Sequence, residues 1–198
     1  SNSSATPYLL MYQETATAHY FVWHDGSNSG NIYWGTTIYD GNWHHLAITR
    51  TGSTIAFYVD GTAQTATGSA GTFPSSLTLS GHYLSLMSVP YQGTNTINGE
   101  MDDFRIVIGQ KVYSGNFSVP TGALTKTGGT YPNTTNRTDP TASQTKFLAN
   151  FDGGGFDDSS TSDHTITYTG SYHSHIHGAR PPALAFPASG KTTGSAGT

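Results

Sequence analysis

Apolar and polar residues alternate along much of the chain, which is the pattern of β-strands with one buried face. The clearest unit is residues 42–65, "NWHHLAITRTGSTIAFYVDGTAQT". Two strands of this unit place their apolar residues on one face, namely Leu46 and Ile48 in the first and Ile55, Phe57 and Val59 in the second. A turn at residues 51–53 and the tight Asp60-Gly61 pair predict a β-meander.

Short apolar runs bounded by Gly, Asn, Ser or Pro predict six further strands. They are residues 8–12, 20–24, 32–34, 77–79, 84–88 and 104–108. Helical spacing is nearly missing, and 24 glycines together with 12% aromatic residues suit short strands joined by tight turns. So many short strands indicate an all-β fold, an antiparallel β-sandwich of the jelly-roll type rather than an open sheet.

The composition changes after this strand-rich region. Residues 121–143, "TGALTKTGGTYPNTTNRTDPTAS", hold few large apolar residues and several turn-forming clusters. We therefore divide the chain into a first block at 1–125, a surface linker or extended strap at 126–143, and a second block at 144–198. Strand-like patterning resumes in the second block, which is too short to be a complete sandwich by itself.

Charge and cysteine content exclude several partners and site types. Only 10% of residues are charged, with 8 Lys+Arg against 12 Asp+Glu, so no basic field exists to gather nucleic acid or hold a membrane surface. No apolar run approaches the roughly 20 residues of a membrane helix, and the polar start "SNSSATP" is not a signal peptide. Without Cys the chain has no disulfides or thiolate metal sites. We expect neither nucleic-acid binding nor membrane insertion.

Two stretches resemble the concanavalin A-like, laminin-G-like jelly-roll domains of bacteriophage virion proteins. Residues 42–61, "NWHHLAITRTGSTIAFYVDG", resemble the tryptophan-histidine strand and hairpin of that family. Residues 99–124, "GEMDDFRIVIGQKVYSGNFSVPTGAL", resemble its closing strand and exit, and this is the more specific match. Residues 145–170, "TKFLANFDGGGFDDSSTSDHTITYTG", resemble its opening strand, which ordinarily comes before the other two motifs.

The reversed order of these motifs has two explanations. In both, residues 1–125 are a jelly roll that lacks its first strands. Residues 144–198 are then either the start of the next jelly roll in an array or an extended segment that supplies the missing strand, by folding back or by pairing with a neighbour. We expect the second arrangement, because an unpaired sandwich edge exposes apolar surface and backbone donors.

The carboxylates before the closing strand raise the question of catalysis. Some glucanases of the jelly-roll superfamily carry two glutamates that flank an aspartate at alternate positions of one strand, on one face, for acid and nucleophile roles. The corresponding alternation here is Glu100, Asp102 and Phe104, so an aromatic ring replaces the second glutamate. The sequence therefore predicts a protein that is not an enzyme.

Two groups of residues suggest metal sites. The resemblance implies that Asp152, in the opening-strand motif, lies near the closing strand and Asp102, where clustered carboxylates suit calcium. His173, His175 and His177 alternate, so a strand would project all three from one face, and neutral imidazole suits metals such as iron. We assign no definite cofactor, and calcium is the candidate. The simpler interpretation is strand-end acids in water and a polar exposed strand.

Aromatic and amide side chains suggest carbohydrate binding. Aromatic faces on sandwich loops stack on sugar rings, and amides such as Asn28 bind sugar hydroxyls. The predicted carbohydrate contacts are Trp23, Trp34, Tyr39, Tyr91 and Asn95. Any β protein also places aromatics and Asn in its loops, so ordinary packing and turn roles are the alternative for each residue.

The leading hypothesis is a non-enzymatic structural module of a phage-like virion, in a tail fibre or a capsid decoration, at the virion surface or outside the cell. Its expected partners are other virion proteins, further copies of itself and host-surface glycans, with multivalency strengthening weak contacts. The alternatives are a cellular carbohydrate-binding or adhesin module and the subunit of a self-assembling extracellular fibre.

Overall fold

The computed structural model describes residues 7–15, 17–78, 84–87, 99–151 and 157–167. These residues form nine strands, which are β1 (Tyr8–Thr15), β2 (Ala18–His24), β3 (Ser29–Gly35), β4 (Leu46–Thr51), β5 (Thr54–Val59), β6 (Thr62–Gln64), β7 (Ala66–Ala70), β8 (Phe104–Val107) and β9 (Thr145–Ala149). The described residues include no helix, and so none long and apolar enough to cross a membrane. Every strand pair is antiparallel, which confirms the predicted all-β class.

The strands form three sheets. A four-stranded sheet has the order β1-β2-β3-β7, a three-stranded sheet has the order β4-β5-β6, and β8 pairs with β9. Residues 77–78 and 84–87, the described parts of two predicted strands, are not in strands. The sequence pattern did not indicate β7, "ATGSA", because its residues are weak strand formers and its place is set by pairing with β3.

The four-stranded and three-stranded sheets pack face to face as a β-sandwich. Trp34 of β3 lies against Phe57 of β5 with ring centroids 5.0 Å apart, and both side chains are almost fully buried. Val59 completes this buried centre, and partly buried hydrophobic residues surround it: Phe21, Ile32, Ile38, Ile48 and Ile55. The predicted inward face of β5 is confirmed, whereas Leu46, at the start of β4, is 40% exposed.

The opposite face of β5 is also buried. Tyr58 joins a second cluster with Val112, Tyr113 and Phe117, which follow β8 in the chain. The rings of Tyr113 and Phe117 stack 3.6 Å apart, and Phe117 meets Tyr58 edge to face at 5.5 Å. Burial, aided by a hydrogen bond with Tyr131, raises the pKa of Tyr113, so this phenol stays neutral. The chain after β8 therefore adds a third layer to the sandwich.

Residues 126–143 run as an irregular strap between this third layer and β9. The amide of Thr138 donates to the carbonyl of Val112 at 2.9 Å. The guanidinium of Arg105 donates to the carbonyls of Thr125 and Gly128 at the start of the strap. Beyond the strap, β9 pairs with β8 of the same chain, so the second block meets the closing strand of the first.

The Asp60-Gly61 turn joins the sandwich to the third layer. Its φ angles of 50° and 77° are both positive, as a type I′ hairpin requires. The amide of Phe117 donates to the carbonyl of Gly61 at 2.9 Å, and a Cβ at Gly61 would lie 2.0 Å from the carbonyl oxygen of Phe117. Asn116 adds a second tie, because its Oδ1 accepts a hydrogen bond from the amide of Ala63 at 2.9 Å.

A histidine held between two carboxylates fixes the other side of this turn. His44 Nδ1 lies 2.7 Å from Asp60 Oδ2, and His44 Nε2 lies 3.1 Å from Asp40 Oδ1. Asp60 Oδ1 also accepts a hydrogen bond from the amide of His45 at 2.9 Å. Burial lowers the pKa of His44, but the hydrogen bonds to Asp60 and Asp40 outweigh it and raise the pKa overall. The amide and side chain of Asn42, followed by His44, lower the pKa of Asp40 to about 2.

Gly61→Ala should destabilise the fold far more than Gly52→Ala, a matched change in the preceding hairpin. Both glycines have positive φ, but a Cβ at Gly52 meets no atom within 4 Å. We expect a loss of about 1 kcal/mol from backbone strain at Gly52 and about 2–5 kcal/mol at Gly61, where overpacking adds to the strain. Urea unfolding of the two variants measures this difference. Equal losses would show that the contact with Phe117 does not constrain the turn.

The contacts of His44 with Asp40 and Asp60 should make stability fall as pH rises from the unfolded pKa of His44 through its raised folded pKa. Because the pKa of His44 is raised on folding, its contribution is complete below the unfolded pKa of about 6.5 and is lost as pH rises through the folded pKa. Between pH 6 and pH 9 the melting temperature of the wild type should fall by a few degrees more than that of His44→Gln, which cannot hold the second proton. Parallel melting curves of the two proteins against pH would contradict this role.

Candidate functional site

The structure places the predicted carbohydrate contacts in different environments. Trp34 is 2% exposed in the sandwich core, so its prediction as a sugar contact is wrong: strand alternation in β3 turns it inward and leaves no ring face free. Trp23 is 4% exposed and also points inward, but it lines a surface depression. Tyr39 is 43% exposed and stacks on His19 with centroids 6.1 Å apart. Tyr91 and Asn95 lie outside the described residues.

The acids before the closing strand lie where the first block meets β9. Asp102 Oδ1 accepts the amide of Asp103 at 2.9 Å. Asp103 Oδ1 accepts the side-chain amide of Asn150 at 2.6 Å and the backbone amide of Leu124 at 3.3 Å. Asn150 also donates to the carbonyl of Leu124 at 3.0 Å. These polar groups join three separate parts of the chain at one point.

The structure assigns no metal cluster in the part of the chain that it describes. Within those residues no three His, Asp or Glu side chains are grouped so as to hold an ion. Asp152 and the histidines His173, His175 and His177, which the sequence suggested as ligands together with Asp102, lie outside the described residues. A calcium site that includes Asp102 and Asp152 therefore stays a prediction.

Phe104, the third residue in the alternation of Glu100, Asp102 and Phe104, has a packing role. Phe104, which follows Glu100 and Asp102 at alternate positions, meets Phe147 of β9 in an edge-to-face contact with ring centroids 6.0 Å apart. This aromatic pair holds β8 against β9. The position that would carry the second glutamate of a glucanase strand thus lies in an inter-strand contact.

A buried carboxylate beyond β9 orders residues 157–167. Asp158 is 5% exposed and accepts hydrogen bonds from the amides of Leu148, Ser160 and His164, at 3.0, 2.8 and 2.9 Å. His164 Nδ1 lies 2.7 Å from Asp158 Oδ2, the oxygen that also accepts the His164 amide, whereas the amides of Leu148 and Ser160 donate to Oδ1. Burial raises the pKa of Asp158, but these hydrogen bonds lower it well below the usual range. This carboxylate is therefore a structural anchor for the segment after β9.

An open depression of about 420 Å³ lies beside the β2–β3 hairpin. We call it the hairpin site, and its lining comprises Trp23, Asp25, Asn28, Ser29, Gly71, Thr72 and Pro74. Gly30 and Gly71 let the indole of Trp23 lie close to the backbone, since a Cβ at either position would come within 3.3 Å of the ring. The site thus combines an aromatic side chain with amide, carboxylate and hydroxyl groups.

A second depression adjoins the hairpin site. It has a similar volume, about 410 Å³, and shares Asp25 and Asn28 with the first. Its other lining residues are Pro7, Ser27, Ser76, Leu77 and Thr78. The tip of the hairpin therefore lies between two small recesses, each bordered by the same amide and carboxylate.

Hydrogen bonds fix the hairpin tip. Asp25 Oδ1 accepts the amides of Ser27 and Asn28 at 2.9 and 2.6 Å, and Asp25 Oδ2 accepts the side-chain amide of Asn28 at 3.2 Å. The bonds from Asn28 and Ser27 lower the pKa of Asp25, which stays a carboxylate near neutrality. The loop is a capped turn whose polar groups have set positions.

Arg50 fixes the facing wall. Its guanidinium lies over the ring of Phe73 at 4.8 Å and donates to the carbonyls of Pro74 and Ser75. Its Nε donates to the carbonyl of Gly52 at 2.8 Å, so the β4–β5 turn is tied to the loop after β7. A planar guanidinium makes these contacts together, which an ammonium group cannot do. Both walls of the hairpin site are therefore held before any ligand arrives.

Sequence reasoning found part of this site. Trp23 and Asn28 were singled out, and the "HDGSNS" run between two predicted strands is a hairpin signal that indicates a capped turn at Asp25. Thr72 and Pro74 were missed, because they reach the hairpin only through the pairing of β7 with β3. No local pattern in the sequence indicates that pairing.

Comparison with known families agrees with this architecture. Residues 1–110 match the family model described as the concanavalin A-like lectin/glucanases superfamily. The match spans more than half of the 198 residues, so the chain belongs to this superfamily. No curated protein and no solved structure matches the chain. A fold of this superfamily is compatible with carbohydrate binding or adhesion.

Proposed function

We propose that the chain is a carbohydrate-binding attachment module that holds a neutral sugar at the hairpin site. The feature that carries this proposal is a fixed depression in which an indole lies beside Asp25, Asn28 and Thr72. Sugars present hydroxyls to amide, carboxylate and hydroxyl groups, and the lining supplies all three, while Trp23, which is 4% exposed, backs the depression without offering a free ring face. Membership of a superfamily of lectins and glucanases supports the same ligand class.

We further propose that the module binds its sugar without catalysing a reaction. Phe104 stands where a second catalytic glutamate would be needed, and it packs against Phe147 rather than lining a cleft. Glycoside hydrolysis requires two carboxyl groups on either side of the bond that breaks. Asp102 and Asp103 lie instead at the junction with Leu124 and β9. This arrangement favours attachment over hydrolysis.

The same proposal includes a location for the module, at the surface of a virion. The resemblance of residues 42–61 and 99–124 to phage virion domains favours a tail fibre or capsid decoration at the virion surface. There, other virion proteins and further copies of this chain would be its neighbours, and host glycans its targets. Small open sites bind weakly one by one, so several copies on one particle would give firm attachment.

Asn28→Ala should weaken saccharide binding about tenfold, because it removes a hydrogen-bonding amide from both recesses. Asn133→Ala is the matched control: this exposed amide also stabilises a turn, with Oδ1 accepting the amide of Thr135 at 3.0 Å. Calorimetry against neutral mono- to trisaccharides, after a glycan array has selected the sugar, measures both variants. Equal binding by wild type and Asn28→Ala would remove the hairpin site from the proposal.

Antibodies against the chain should label purified virions in electron micrographs, at the tail or over the capsid. A preimmune serum and virions that lack the corresponding gene product are the controls. Label confined to the surface of cells that carry no virions would contradict the virion placement and favour a cellular adhesin. Label on free filaments would favour an extracellular fibre.

A further inference from the structure

The outer face of the four-stranded sheet carries a row of stacked tyrosines. Tyr12, Tyr20 and Tyr33 stand opposite one another on β1, β2 and β3. Their ring centroids are 5.3 and 4.9 Å apart, with interplanar angles of 13° and 18°. We call these three residues the tyrosine ladder. Each is half-buried, so part of every ring remains open to solvent.

The ladder ends on a glycine. Tyr33 lies opposite Gly68 of β7, and a Cβ at that position would be 2.6 Å from Tyr33 Cε1. The Tyr33 ring therefore lies on the backbone of the fourth strand. Because neighbouring strands are about 4.8 Å apart, the ladder and its glycine extend for about 14 Å across the sheet. The rings form one continuous aromatic strip over all four strands.

The sandwich core does not require these rings. The inward positions of β2 and β3 belong to Phe21, Trp23 and Trp34, and the ladder occupies the alternate positions. Cross-strand aromatic pairs do stabilise a sheet, so packing within the face is the simplest role for the ladder. Apolar residues could fill that packing role equally well. Three tyrosines in register also present a row of hydroxyl groups.

The groups around the ladder suit a neutral, hydroxyl-rich ligand. Glu14 hydrogen-bonds to the Tyr20 hydroxyl and adds a carboxylate acceptor at one end. Asn31, opposite Val22, adds an amide to the same face. The outward side chains of these four strands include no Lys or Arg among the residues described, so this face offers an acidic ligand no permanent positive charge.

The outer face ends at the hairpin tip that borders the hairpin site. Tyr8 and His24 form a second stacked pair on the outer face, with centroids 5.5 Å apart and an interplanar angle of 7°. His24 Nδ1 accepts the amide of Gly26 at 3.0 Å, and Asp25 of the hairpin site follows directly. Tyr20 and His24 are four residues apart on β2, which is about 13 Å along the strand. Aromatic groups thus lie at both ends of a path from the hairpin tip across the sheet.

We propose that this outer face binds a neutral polysaccharide chain that runs from the hairpin site to the tyrosine ladder. The proposal rests on the function assigned to the hairpin site and extends it from a single sugar to a polymer. Sugar rings would lie against the exposed parts of the ladder. Their hydroxyls would pair with the phenols, Glu14 and Asn31.

The test compares polymer and short-saccharide binding in three variants. Tyr12→Ala removes the ladder's ring on β1, and Tyr12→Phe/Tyr20→Phe/Tyr33→Phe keeps the stack but removes its hydroxyls. Ile108→Ala truncates a 62% exposed side chain elsewhere and is the control. The probes are dextran, mannan, xyloglucan and a mixed-linkage β-glucan, with the trisaccharide of whichever polymer binds. Affinity electrophoresis and calorimetry measure binding, and thermal melts show that each variant is folded.

We expect Tyr12→Ala to lose about tenfold in polymer affinity while its affinity for the trisaccharide is unchanged. The triple phenylalanine variant should also lose polymer affinity, whereas Ile108→Ala should bind like the wild type. Asn28→Ala should weaken both ligands, which separates the hairpin site from the ladder.

Three outcomes would overturn the inference. Polymer binding by Tyr12→Ala and by the triple variant at wild-type affinity would leave the ladder a packing feature, while an effect of Asn28→Ala would keep the hairpin site. A dimer in light scattering that Tyr12→Ala converts to a monomer, with polymer affinity unchanged, would identify a second copy as the occupant. A wild type that binds no polymer and no trisaccharide would remove both proposals.

Discussion

The fold depends on one strand that is buried on both faces. β5 directs Phe57 into the sandwich and Tyr58 into the layer behind it, with exposed fractions of 0% and 3%. Burial of each aromatic side chain contributes roughly 2–3 kcal/mol, so this single strand supports two hydrophobic clusters. The Asp60-Gly61 turn at its end then ties the two layers by contact with Phe117. A change that loosens either cluster therefore acts on both.

This arrangement determines which surface can serve binding. The three-stranded sheet has the sandwich on one face and the third layer on the other. Among the described residues, the four-stranded sheet keeps an outer face whose aromatic rings are half-exposed. The third layer comes largely from residues beyond 110, after the family match ends. The described residues outside the matched region thus cover one sheet and leave the outer face of the other open.

Local patterns predicted much of this architecture, but not the third layer or the direction of every side chain. Alternation identified the inward face of β5, and Asp-Gly identified the turn, because both are properties of a few adjacent residues. The burial of Tyr58 was not visible, since alternation marks one face as polar whether or not another layer covers it. Trp34, in the predicted strand 32–34, was named as a sugar contact for a related reason, because composition shows an aromatic residue but not the direction of its side chain. The tyrosine ladder requires the register of three strands, which only pairing reveals.

Rigidity is a property that the two proposed binding surfaces share. The hairpin tip is capped by Asp25, its facing wall is held by Arg50, and the ladder lies on the backbone of Gly68. A ligand that meets groups already in position does not have to order them, so little conformational entropy is lost on binding. Open surfaces of this kind gain little from enclosure and depend on many simultaneous contacts. The proposed polymer would supply such contacts within one module, as repeated copies on one particle would supply them between modules.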